Sequence, residues 1–249
     1  GKIKVTAVAQ TLTSISIKTA QTKTSYTAFE LFDANGLVLT ATYNAGKVVD
    51  ITEGYEVVYN TSNSLRASDT YVTLSCGGKT CRANIVVSKI SVKTPEIDGT
   101  YVYSGVSITG NLKQTADSSL YTVSNNVYTL AGNHNITVTL KDSANYKWST
   151  SNSAAITVPF VINKAELVIQ KNNYSGVFDG FAHKANVVIQ NTSIYYSTTE
   201  LTKSNYTSGS TTEIGFTNAG NHVVYYYVVG DENHNDAVGT ISVNIQKAS

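Results

Sequence analysis

The sequence predicts an all-β chain of three tandem β-sandwich modules in an elongated array, and three observations carry that reading. A phrase recurs. Ala131-Gly132-Asn133-His134 opens a strand-like run that closes on Ile162-Asn163-Lys164-Ala165, and Ala219-Gly220-Asn221-His222 opens another that closes on Ile245-Gln246-Lys247-Ala248. The openings lie 88 residues apart (131 to 219) and the closings 83 (164 to 247), as in tandem domains whose strands stay while their loops drift. The residue excesses are Thr, Ser, Val, Asn and Tyr, with 17 Tyr against one Trp and no Met, types that suit a pleated, half-buried surface. Finally, an amphipathic 3.6-residue period is absent throughout, whereas period-two alternation returns again and again.

The strands follow in order. In the first module, alternation marks Ile15-Ser16-Ile17, Leu37-Val38-Leu39-Thr40-Ala41, Tyr71-Val72-Thr73-Leu74 and Asn84-Ile85-Val86-Val87. Turn signals separate these runs at Asp33-Ala34-Asn35-Gly36, Asn44-Ala45-Gly46 and Gly77-Gly78. Asn135-Ile136-Thr137-Val138-Thr139-Leu140 is the clearest strand of the second module, and Ile241-Ser242-Val243-Asn244-Ile245, beyond the turn Gly230-Asp231-Glu232-Asn233, of the third. Short strands at this spacing predict sandwiches rather than one closed barrel. Val87-Ser88-Lys89-Ile90 closes the first module, and Thr94-Pro95 starts the next because proline holds its neighbour extended. The boundaries are therefore 1–92, 93–165 and 166–249, with almost no linker between. Modules of this size bury thin cores. Joints this short predict a stiff array on the order of 100 Å long, from strands rising about 3.3 Å per residue.

Composition excludes several function classes. Hydrophobic residues make up 41%, enough for packed cores, so the chain is no disordered linker. Charge is sparse and balanced, 14% with a net +1, which leaves no basic surface for nucleic acid. No apolar stretch is long enough to enter a bilayer. No signal peptide is visible, and Gly1 reads as the edge of a fragment.

Leu12-Thr13-Ser14-Ile15-Ser16-Ile17, Lys23-Thr24-Ser25-Tyr26 and Gly36-Leu37-Val38-Leu39-Thr40-Ala41-Thr42-Tyr43, with Gly77-Gly78-Lys79-Thr80 at the closing hairpin, resemble the bacterial Ig-like domain, group 3, over residues 11–90. Residues 98–165 resemble the "mostly β" (MBG/YDG-type) repeat modules of bacterial surface proteins. They do so through Tyr101-Val102-Tyr103-Ser104-Gly105, Asp142-Ser143-Ala144-Asn145-Tyr146-Lys147-Trp148 and Ile162-Asn163-Lys164-Ala165. Residues 166–248 fit the same pattern through Phe178-Asp179-Gly180 and Asp231-Glu232-Asn233-His234, but put His234-Asn235-Asp236 where the second module has Tyr-Lys-Trp. The resemblance implies Ig-like modules of a large secreted or wall-attached protein of a Gram-positive bacterium. Their partners would be other domains of the same protein, and the expected role is a non-enzymatic, adhesin-like spacer and display segment. The resemblance carries over no ligand or catalytic residue.

The candidate sites are few. Cys76 and Cys81 flank Gly77-Gly78-Lys79-Thr80 at a hairpin tip, where directly opposed residues reach disulfide distance. The expectation is a disulfide, with two free thiols or a metal pair as alternatives, although two cysteines alone do not close a zinc site. Tyr146, Trp148, Tyr195, Tyr196 and Tyr226 could offer flat faces to glycans or host surface proteins, and this is the alternative function. The competing reading packs them across strands. His134 and His222 hold equivalent positions, which favours a framework role. The run Asp231–Asp236 is oxygen-rich but reads as a solvated turn rather than a calcium loop. Lys89, Lys164 and Lys247 end the modules at equivalent places and read as solvated side chains. No nucleophile elbow, metalloprotease helix, phosphate loop or dinucleotide fingerprint occurs, so neither an enzyme nor a cofactor nor a metal site is expected.

Overall fold

The computed structural model describes residues 9–248; the expected start of the first module at residues 1–8, and Ser249, lie outside the described residues. Its regular structure is β throughout, apart from three 3₁₀ turns at Asn44–Gly46, Ala116–Leu120 and Tyr206–Ser208. Contacts cluster into two compact units. Among the described residues, one holds 9–95, 114–124 and 137–157, the other 96–113, 125–136 and 158–248. The middle stretch, expected to stand as its own module at 93–165, contributes to both.

In the first unit, Leu12–Thr19, Val38–Tyr43 and Val48–Ile51 form one antiparallel sheet, and Glu56–Val58, Tyr71–Cys76 and Lys79–Asn84 another. Alternation decides which residues turn inward. Leu39 and Ala41 face in from one sheet and Val72, Leu74 and Ala83 from the other, all at 0–1% exposure in one cluster with Ile15 and Leu65. Two sheets closed over a single apolar layer make a β-sandwich. The middle stretch adds Tyr121–Ser124, antiparallel to residues 137–140, and the segment Tyr146–Trp148, parallel to Ile90–Val92.

The second unit holds a four-stranded sheet in the order Tyr174–Val177, Ala237–Gln246, Gly220–Val228, Ile194–Ser197. Val224, Tyr226, Val228, Ile241, Val243 and Ile245 form its core with Ala185, Val187 and Tyr196. From the middle stretch, Tyr101–Val102 runs parallel to residues 162–163 in this unit, as Tyr174–Val177 does to residues 243–246. The closing phrases of the sequence thus end strands with equivalent parallel neighbours.

Candidate functional site: the module joints

Each repeated phrase has a defined place. Gly132 and Gly220 both take positive φ, 138° and 153°, a region that disfavours any side chain. That turn swings His134 onto Tyr128 (centroids 4.0 Å apart) and His222 onto Phe216 (4.3 Å) in the same stacked geometry. Each histidine Nε2 donates to a carbonyl four residues earlier, Leu130 at 3.0 Å and Asn218 at 2.9 Å. Both are framework residues that fix the backbone where the hairpin begins.

In the first unit, the Ala67 N–H and the closing Lys89 meet the loop of residues 142–145. Asn145 is 8% exposed. Its Oδ1 accepts the Ala67 N–H at 3.0 Å, its backbone carbonyl accepts the Ile90 N–H at 2.9 Å, and Lys89 Nζ donates to the Ser143 carbonyl at 2.6 Å. Asp142 holds this loop in shape, taking the Asn145 N–H at 3.2 Å and its Nδ2 at 2.9 Å. The pairing then runs on as the short parallel ladder Ile90/Tyr146, Ser91/Lys147, Val92/Trp148.

The second unit contains the same arrangement with different residues. Asn233 Oδ1 accepts the Ala131 N–H at 2.9 Å, its carbonyl accepts the Ala165 N–H at 2.9 Å, and Lys164 Nζ donates to the Asp231 carbonyl at 2.6 Å. In both joints the lysine reaches the carbonyl two residues before the asparagine. Asp231 Oδ1 takes the N–H of Asn233 and of His234, each at 2.7 Å, and the His234 ring nitrogen at 2.9 Å. The Asn233 N–H and then the His234 ring hold the Asp231 carboxyl below the usual carboxylate range. Asn235 N donates back to the Ala165 carbonyl at 2.9 Å, and His234 lies edge-on to Tyr103 at 5.2 Å. Gly230 permits the tight return, because a Cβ there would lie 2.4 Å from the His234 carbonyl oxygen.

Three donors, one of them cationic, therefore meet three acceptor oxygens at each joint. The contacts that this set makes are hydrogen bonds. What it can do is fix the asparagine-bearing loop against the strand end that precedes it, since charge-assisted and backbone hydrogen bonds tolerate little misalignment. Lys164 is exposed, as a solvated side chain would be, and the carbonyl contacts of Lys89, Lys164 and the Asp231–Asp236 run are what the sequence reading did not include. The available signal was the pairing of a repeated Lys-Ala or Lys-Ile closure with a repeated Asp-to-Asn loop.

The aromatic face of the alternative reading is not assembled. Trp148, Tyr196 and Tyr226 are buried, at 1%, 4% and 3% exposure. Trp148 packs on Tyr121 and donates Nε1–H to the Ala154 carbonyl at 3.2 Å. Tyr196 and Tyr226 sit opposite each other in the ladder, and the Tyr196 hydroxyl accepts the Val187 N–H at 3.2 Å. Tyr146 and Tyr195 are half-buried, against Phe29 and Tyr206. Packing claims these rings because tyrosine and tryptophan supply large contact areas whose polar tips find partners.

The cysteines are free thiols. Gly77-Gly78 alone makes the turn, so Cys76 lies opposite Lys79, and Cys81 opposite Leu74. The direct opposition expected of them is replaced by a diagonal, and diagonal neighbours stand about 7–8 Å apart, beyond the usual disulfide span. Burial pushes the Cys81 thiol pKa up. Among the described residues no group of three or more His, Cys, Asp or Glu is placed to hold a metal ion.

The fold and these joints define an all-β, sandwich-type chain. No protein-family model matches it, and no curated protein does. Among solved structures, it is similar to the I9–I11 tandem from titin at 9% identity over 94% of this chain and all of that one, with a TM-score of 0.27. That overlap is too low to equate the two folds.

Proposed function

We propose that this chain is a load-bearing spacer and display segment of a bacterial cell-surface or secreted protein, with no catalytic role. The observation that supports it is the relation between early and last strands. Ser25–Thr27 runs parallel beside Val86–Ser88, Tyr101–Val102 beside Ala155–Asn163, and Tyr174–Val177 beside Ala237–Gln246. When a module is pulled by its two ends, parallel neighbours slide past one another. All their hydrogen bonds are then loaded together instead of opening one after another. A spacer under tension needs that geometry at every position, and a ligand-binding module does not. The fixed joints add stiffness between positions. The resemblance to bacterial Ig-like and "mostly β" repeat modules supplies the cellular setting, an extracellular Gram-positive surface with other domains of the same protein as partners. The alternative of glycan or host-protein binding keeps little support, because three of its five aromatic residues are buried.

Force spectroscopy tests this on the third module. Handles at Tyr174 and Gln246 load the parallel pair in shear, whereas handles at Gly220 and Ile245, directly opposite in the hairpin, unzip it. Forced unfolding reads the unfolding barrier, so the first geometry is expected to need the higher force at equal loading rate. Equal or reversed forces would refute a load-bearing design.

A further inference from the structure

The third module carries a second copy of everything that receives a loop at the joint before it. We infer that its end, formed by Ala219, Lys247 and Ala248, is a docking socket for a further module of the same kind, which enters with an Asp-to-Asn loop. Each observed joint needs three donors: a closing lysine, the N–H of the residue after it, and an N–H ahead of the last long hairpin. The first joint uses Lys89, Ile90 and Ala67, the second Lys164, Ala165 and Ala131. Lys247, Ala248 and Ala219 are the same set one module on.

The copy is geometric as well as sequential. Gly220 has the positive φ of Gly132, and His222 stacks and hydrogen-bonds as His134 does. The Ala219 N–H is therefore set by the same turn and the same ring that set the Ala131 N–H. The difference lies in cover. Ala131 and Ala165 are half-buried under the Asn233 loop, whereas Ala219 and Ala248 are exposed; Lys164 and Lys247 are exposed alike. The occupant is defined by what the other two sockets hold, a loop offering three oxygens from an Asn and the carbonyl two residues before it, shaped by an Asp. Continuity with these two joints commits the site to a module that follows Ala248 in the way residue 166 follows Ala165. The inference rests on the joints alone and does not need the chain to bear load.

The test adds a second copy of residues 166–248 after Ala248 and follows amide hydrogen exchange residue by residue. Exchange at Ala219 is expected to slow tenfold or more, approaching that of Ala131. The same extension carrying Asn233→Ala in the added copy should lose this protection. A parallel extension with residues 91–165, whose loop is Asp142 to Asn145, should protect Ala219 as well, so one poorly folding addition does not decide the matter. Failure of both extensions to slow Ala219 overturns the inference. So does protection that survives Asn233→Ala, or protection that grows with the concentration of the unextended protein and so comes from a second chain.

Discussion

Replacing Asn233 by Ala should release the second joint and leave the cores untouched. The side chain accepts one hydrogen bond, from the Ala131 N–H to Oδ1 at 2.9 Å, while the backbone bond from Ala165 stays. A typical net hydrogen bond contributes about 0.5–1.5 kcal/mol, and an orphaned buried donor costs about 1–3 kcal/mol. Ala131 is only half-buried, so water recovers part of the loss and about 1–2 kcal/mol remains. That corresponds to a roughly 5- to 30-fold rise in opening. Asn145→Ala should cost more, on the order of 2–4 kcal/mol, because Asn145 is 8% exposed and its side chain also binds Asp142. Hydrogen exchange followed by NMR reads both. Ala131 should exchange faster in the first variant and Ala67 in the second, while core amides such as Val224 and Leu74 keep their protection. The conservative variants separate the joints further. Asn233→Asp keeps its acceptor for Ala131, whereas Asn145→Asp replaces a donor to Asp142 with a second carboxylate, so only the latter should destabilise strongly. If Ala131 exchange is unchanged in folded Asn233→Ala, the joint is not held as argued.

Two further outcomes follow from the same geometry. Thiol titration should find two free cysteines per chain, with Cys81 the slower to react because burial raises its pKa; protein from an oxidising compartment with no titratable thiol would show that the diagonal closes after all. Acid should loosen the second joint before the core. Asp231 and Asp236 both have lowered pKa values, Asp231 first through the Asn233 N–H and Asp236 first through the Tyr227 hydroxyl. The unfolded chain therefore takes up their protons before the folded one does. The stability they contribute is complete above the ordinary carboxylate value of about 3.9 and is lost as pH falls through their lowered values. The Ala131 and His234 amide shifts should move together in that range while Val224 and Ile241 hold, and a flat response down to about pH 2 would contradict the assignment.

Fold class, strand positions and the equivalence of the two repeated hairpins were legible in the sequence because each rests on local pattern. Period-two alternation marked the runs that hold Leu39, Ala41, Val72 and Leu74 as strands without knowledge of what they would meet. The cysteine register was not legible. Whether the turn uses two residues or four depends on positive φ at Gly77 and Gly78, 52° and 76°, and that choice moves Cys81 from opposite Cys76 to opposite Leu74. For the aromatic residues, alternation puts Tyr225 and Tyr227 on one face and Tyr226 on the other, which left packing and ligand binding as competing readings. Tyr226 and Tyr227 are both buried nonetheless, because the 3₁₀ turn Tyr206–Ser208 brings Tyr206 to stack on Tyr227 at 4.4 Å. The joints needed two segments far apart in sequence, 67 residues for Lys164 and Asp231, and no local pattern supplies such a pairing.

Why the phrase repeats at all can be argued from what varies beside it. Advancing 88 residues from the second module to the third turns the buried Ile136, Val138 and Leu140 into Val224, Tyr226 and Val228. Core positions drift among apolar types because volume lost at one site can be made up at a neighbour. Ala-Gly-Asn-His does not drift, and neither does the closing Lys-Ala. Those residues answer to requirements that no neighbour can share: a backbone with positive φ, an imidazole that both stacks and donates, and an ammonium that reaches one carbonyl. Were the phrase merely part of each module's interior, it should vary as freely as Val138 and Tyr226 do. Its identity at these two places keeps one set of donors, Ala131, Lys164 and Ala165, in position for the Asn233 loop, whereas the first joint reaches an equivalent set with Ala67, Lys89 and Ile90 and without the phrase.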